Sequence, residues 1–127
     1  MNRGAHALAI VALVLLLASC TIEVPSFSSG DAVLYEAGCP IREWNLSSTQ
    51  LNHLNKWLAE RRSGWRPTPV NYVPSLLLTL HRGDSVSTVN ITSTYVVVKN
   101  SSQSLSYEQA FTEADLSTLR RELSEGA

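Results

Sequence analysis

Apolar residues occur in this chain at three different periods, and each predicts a different kind of element. From Ala7 to Ala18 they run without a break. Leu51, Leu54 and Leu58 recur at helical spacing, as do Leu116, Leu119 and Leu123. Between these stripes the pattern changes to alternation, with Leu76, Leu78 and Leu80 on one side of a predicted strand.

Local signals set the bounds of the helices. Ser47 and Gln50 have the spacing of a capping box, with Leu46 and Leu51 placed as a hydrophobic staple. Arg61 and Arg62 suit the negative end of a helix dipole, and Gly64 supplies a stop. The first helix is predicted from about Ser48 to Arg62. Thr112 and Asp115 repeat the capping spacing, and Glu113 and Asp115 lie where acids favour a helix start. A second helix is predicted there.

The strands are predicted from composition and turns. Ala32 to Glu36 is a short apolar run, broken by Gly38-Cys39-Pro40. Ile41 to Leu46 fits no single period, and Trp44 is its candidate for burial. Pro67, Pro69 and Pro74 make residues 65–74 a connector or an edge, because each proline lacks an amide donor. Ser75 to His81 and Ser85 to Ile91 form a hairpin about Arg82-Gly83-Asp84. Thr92 to Lys99 and Ser104 to Phe111 complete the set. The fold expected is α+β: a small antiparallel sheet of three to four strands, with two helices packed on one face or end. Its expected core includes Leu54, Leu58, Leu78, Val97, Leu116 and Leu119.

The first apolar run ends in Leu17-Ala18-Ser19-Cys20, and Asn2, Arg3 and His6 precede it as polar residues. A cationic start, about a dozen apolar residues and small residues at the end describe a secretory signal peptide. The run is shorter than the roughly 20 residues that cross a bilayer as a helix. The four residues resemble the lipobox of bacterial lipoproteins. That resemblance implies diacylglycerol transfer to Cys20, cleavage before it and acylation of the new N-terminus. Thr21, in place of Asp, implies sorting to the outer membrane, facing the periplasm. Residues 1–19 are then a signal peptide, 20–31 a lipidated cysteine and flexible tether, and 32–127 one globular domain. Pro25, Gly30 and three serines support the tether.

Charge and composition narrow the function. The chain has net charge −1, and loss of Arg3 leaves the mature form near −2, so no basic balance points to nucleic acid. Cysteines number two; with Cys20 in a thioether, Cys39 is a buried thiol or pairs between molecules. No Cys/His spacing suggests a metal or other cofactor. No Gly-x-Ser-x-Gly elbow or carboxylate pair suggests an enzyme. Arg-Gly-Asp at 82–84 reads as turn residues. Asn45, Asn90 and Asn100 head Asn-x-Ser/Thr triplets without consequence in a bacterial lipoprotein.

The densest cluster is Arg61, Arg62, Trp65 and Arg66, where a helix ends and prolines begin. Arg and Trp are enriched at binding hot spots. These residues are the candidate binding surface, with Trp65 as apolar anchor. Against that stands a structural role, with Trp65 in the core and the arginines solvated. The function expected is a lipid-anchored envelope module that binds a protein partner, as inhibitor or immunity lipoproteins do. The alternative is a structural accessory of an outer-membrane assembly or secretion complex. Replacing Cys20 with Ser should leave an uncleaved or soluble form on gels and in cell fractions. Wild-type migration and fractionation of that variant would remove the lipoprotein reading.

Overall fold

The alternation in the leucine-rich strand is that of a sheet with one sealed face. Leu76, Leu78 and Leu80 are fully buried, while Leu77 and Thr79 between them are only partly covered. In the computed structural model, which describes residues 21, 22, 25–69, 72–101 and 104–125, this strand lies within a seven-stranded antiparallel sheet. The strands are β1 (Ser29–Glu36), β2 (Cys39–Asn45), β3 (Arg66–Thr68), β4 (Leu76–Arg82), β5 (Ser85–Ile91), β6 (Tyr95–Asn100) and β7 (Ser106–Ala110). Their order across the sheet is β2-β1-β4-β5-β6-β7-β3. The helices are α1 (Ser48–Ala59) and α2 (Glu113–Ser124).

One core joins the helices to one face of the sheet. Ala32, Leu76, Leu78, Leu80, Val89, Ile91 and Val96 meet Leu51, Leu54 and Leu58 of α1 and Leu116, Leu119 and Leu123 of α2. Gly30 sits in this face because the Leu80 and Leu46 side chains approach it closely. A Cβ there would lie 2.7 Å from Leu80 and 3.0 Å from Leu46. α2 ends over the β2 edge, where the Trp44 indole donates to the Leu123 carbonyl oxygen at 3.1 Å. Trp44 is half-buried beneath the Arg42 guanidinium.

The expected sheet of three to four strands is overturned, since it misses nearly half of the ladder. β1 starts in the polar Ser-Gly-Asp stretch, because its backbone pairs on both sides, with β2 and with β4. β2 carries Pro40, which an edge strand tolerates because one of its sides needs no donors. β3 is three residues long with Pro67 at its centre, and it too lies at an edge.

The helix caps form as the sequence indicates. Ser47 accepts from the Gln50 amide at 3.1 Å, and Gln50 returns the bond to the Ser47 amide at 2.9 Å. Thr112 accepts from the Asp115 amide at 3.2 Å. α1 ends at Ala59, short of the expected Arg62. The chain leaves the helix there so that Trp65 can enter the core, where its indole donates to the Arg61 carbonyl oxygen. Gly64 turns the chain at φ 88°, and a Cβ on it would lie 2.8 Å from the side-chain nitrogen of Gln109.

The stretch expected as a tether is docked where it is described. Ile22 and Phe27 are buried, and the Asn55 side chain both donates to and accepts from the Phe27 backbone at 3.0 Å. Cys20 and the signal peptide lie outside the described residues. Cys39 is exposed, which removes the buried-thiol reading.

One expected core residue changes sides. Val96 meets the helices, while Val97 points to the opposite face. Leu58→Ala should therefore cost about 2–5 kcal/mol in urea unfolding, as a cavity in a fully buried site does. Val97→Ala should cost clearly less. Equal losses at the two positions would contradict this division of the core.

Candidate functional site

The face away from the helices holds the most organised polar chemistry of the described residues. Its central row is set by register: Arg66 of β3, Glu108 of β7, Val97 of β6, Asn90 of β5 and Leu77 of β4. Strands β3 and β4 run in the same sense, four places apart in the sheet. Strands running in the same sense need a crossover, and here it passes over the outer face. Tyr72 lies against Glu108 and Tyr95, while Val73 and Ser75 bond to Asn90.

Asn90 fastens this strap. Its side-chain oxygen accepts from the Ser75 amide at 3.0 Å, and its side-chain nitrogen donates to the Val73 carbonyl oxygen at 3.3 Å. Both ends of a buried amide are thereby satisfied, as burial requires.

Glu108 is the charged centre. Its side chain is 10% exposed and accepts from Arg66 at 3.1 Å. The Tyr72 hydroxyl donates to its other carboxylate oxygen. A carboxylate this covered is tolerable because both oxygens are bonded. The Tyr72 phenol is pushed above its usual 10.0, first by this hydrogen bond, then by burial and by the negative charge of Glu108. Its ring stacks on Tyr95 at 5.8 Å between centroids. Pro74, Thr88, Lys99 and Ser106 join Tyr72 and Asn90 around a shallow depression of about 120 Å³.

The residues singled out from sequence do not converge. Trp65 is 1% exposed and packs edge-on to Phe111, so it is a core residue and no exposed anchor. Arg61 lies over the Trp57 ring at 4.3 Å and donates to the Trp57 carbonyl oxygen. Arg62 is exposed, and its carbonyl oxygen accepts from the Ile22 amide at 2.9 Å. Arg66 alone reaches the outer face of the sheet. Spacing brought the four together in sequence, but the turn at Gly64 sends them to different sides.

Sequence reasoning missed Tyr72, Asn90, Tyr95 and Glu108. One signal did exist. Val96-Val97-Val98 is apolar on both sides of a strand, which requires cover on both faces of the sheet.

Two wider depressions open on the helical side. One, of about 370 Å³, lies by Lys56, Arg61 and the His53–Glu122 pair at 3.2 Å. The other, of about 440 Å³, borders Ser93, Ser117 and Arg120. Among the described residues no cluster of His, Cys, Asp or Glu is placed to hold a metal ion.

Comparison with protein-family models, curated proteins and solved structures returns no match for this chain.

The raised Tyr72 ionisation gives a pH dependence whose sign follows from linkage. The folded state holds the phenol proton more tightly than the unfolded chain. The stability this contributes is present below about pH 10 and is lost as pH rises through the folded value. Glu108→Gln removes the negative charge, so Tyr72 should ionise at lower pH. Ultraviolet titration of tyrosinate, compared with Tyr72→Phe to assign the signal, checks it. An unshifted titration would show that Glu108 does not control this phenol.

Proposed function

We propose that this protein is a lipid-anchored envelope lipoprotein whose mature domain binds a protein partner through the outer face of its sheet. The observation that carries the reading is the composition of that face. Tyr72 and Tyr95 are stacked there, beside Arg66 and Lys99, with Val73 71% exposed on the strap. Tyrosine and arginine dominate binding hot spots because they offer large area, little entropy to lose and hydrogen-bonding ends.

The face is also held ready for contact. Asn90 and Glu108 fix the strap from beneath, so little ordering is left to be done on binding. The depression is shallow beside the 300 Å³ or more typical of small-molecule pockets. A flat, firm, aromatic surface suits a folded protein partner. Inhibition of that partner fits this reading, and the address comes from the lipobox resemblance at Cys20.

The test is a photo-crosslinking residue placed at Lys99 in living cells. It should give one discrete adduct, while the same residue at Ser117, on the exposed side of α2, should give none. Tyr95→Ala should lower the Lys99 adduct by about tenfold or more, the loss typical of a hot-spot truncation. Adducts of equal yield at both positions, or none at Lys99, would remove this surface from consideration.

A further inference from the structure

The start of the described chain is fastened to the candidate loop rather than free of it. Thr21 forms an antiparallel bridge with Ser63. The Ile22 amide donates to the Arg62 carbonyl oxygen at 2.9 Å, and the Ile22 side chain is buried in the main core. The peptide bond keeps residue 20 within about 3.8 Å of Thr21, Cα to Cα, whatever its own conformation. A free tether over residues 20–31 would instead reach roughly 20 Å. That difference decides how the domain meets a membrane.

We infer that the corner formed by Thr21, Arg61, Arg62 and Ser63 rests directly on the phospholipid headgroups of the membrane that holds the Cys20 lipid. This rests on the lipoprotein reading and goes beyond it, because an acylated Cys20 alone does not fix an orientation. The occupant is set by chain continuity. Acyl chains on residue 20 leave no length for the domain to stand away. The charges agree with that placement. Arg62 is exposed and Lys56 is 79% exposed by side chain, while Arg61 keeps a third of its side chain in solvent. Glu60 lies 3.7 Å from Arg61 and 4.0 Å from Lys56, while Arg62 has no ion pair among the described residues. Basic side chains beside a lipid anchor add attraction to anionic lipid.

The placement also sets one edge of the sheet near the membrane and the other far from it. The loop at Ser63 leads directly into β3, at one edge of the sheet. Cys39 lies in β2, at the other edge. Six strand spacings separate those edges, roughly 29 Å. The strap face, with Tyr72 and Tyr95, is turned away from the helices.

The experiment uses the full-length protein, matured in cells and reconstituted into vesicles of phosphatidylglycerol and phosphatidylcholine carrying headgroup spin labels. A fluorophore is placed on the native Cys39 in one sample. In another it is placed on Ser63→Cys in a Cys39→Ser background, with Glu60→Cys as a second reporter should Ser63→Cys misfold. The mass of the N-terminal peptide reports acylation of Cys20 in each sample. The reporter at 63 or 60 should be quenched several-fold more than that at Cys39. Arg61→Gln with Arg62→Gln should reduce the difference in anionic vesicles and leave it unchanged in phosphatidylcholine alone. Equal quenching at Cys39 and at 63 or 60, with Cys20 acylated, would overturn the orientation and leave the lipoprotein reading standing. An unmodified N-terminal peptide would overturn both.

Discussion

Strand β3 pairs with β7 at one edge of the sheet, yet the next strand in the chain, β4, belongs near the middle. The same strand follows β2, which lies at the far edge. The chain must therefore cross the sheet before β3 and again after it. The first crossing carries α1 and seals the core face. The second carries Tyr72 to Ser75 over the outer face, because the helices already occupy the inner one. A three-residue strand thus decides what covers each side of the molecule. The polar row beneath the strap follows from it. Asn90 and Glu108 are buried only because the strap passes over them, and they are satisfied by the groups it brings.

How far the fold was legible depended on the range of the signal. Both helices were readable because capping and leucine spacing act within a few residues. Ser47 and Gln50 form both bonds of the capping box, and Thr112 accepts from the Asp115 amide. The Ser85–Ile91 strand was readable from its β-branched composition and the Gly83 turn. Of β1 only Ala32 to Glu36 was readable, β3 only as a connector or an edge, and β2 not at all, since little local demands them. β1 is held by pairing with residues 76–81, and Pro40 and Pro67 are acceptable only because their strands are edges. The Val96–Val98 run shows the same limit. Its period could not tell which valine faced the helices, and the cover that makes both faces apolar comes from residues two strands away.

The candidate site was less legible for a related reason. Arg61, Arg62, Trp65 and Arg66 are close in sequence, and proximity was the only link among them. The structure uses the turn at Gly64 to bury Trp65 against Phe111 and to send Arg66 to the other face. The residues that do gather come from the strap, β5, β6 and β7. Tyr72 and Glu108 are 36 positions apart, and Arg66 and Glu108 are 42 apart.

The bonds that tie β2 to the end of α2 have a consequence for how the molecule assembles. Arg42 reaches the Ser124 carbonyl oxygen and Trp44 the Leu123 carbonyl oxygen, across separations of 82 and 79 positions. The outer bonds of one sheet edge therefore wait for almost the last helical turn. Folding dominated by such distant pairings is slow, since loop-closure entropy is lost before the contacts compensate it. A chain still short of its last helix can pair β1 with β2, but it lacks the carbonyl oxygens through which Arg42 and Trp44 hold that edge to α2. That edge is therefore fastened to the helical layer only once the final helix has formed.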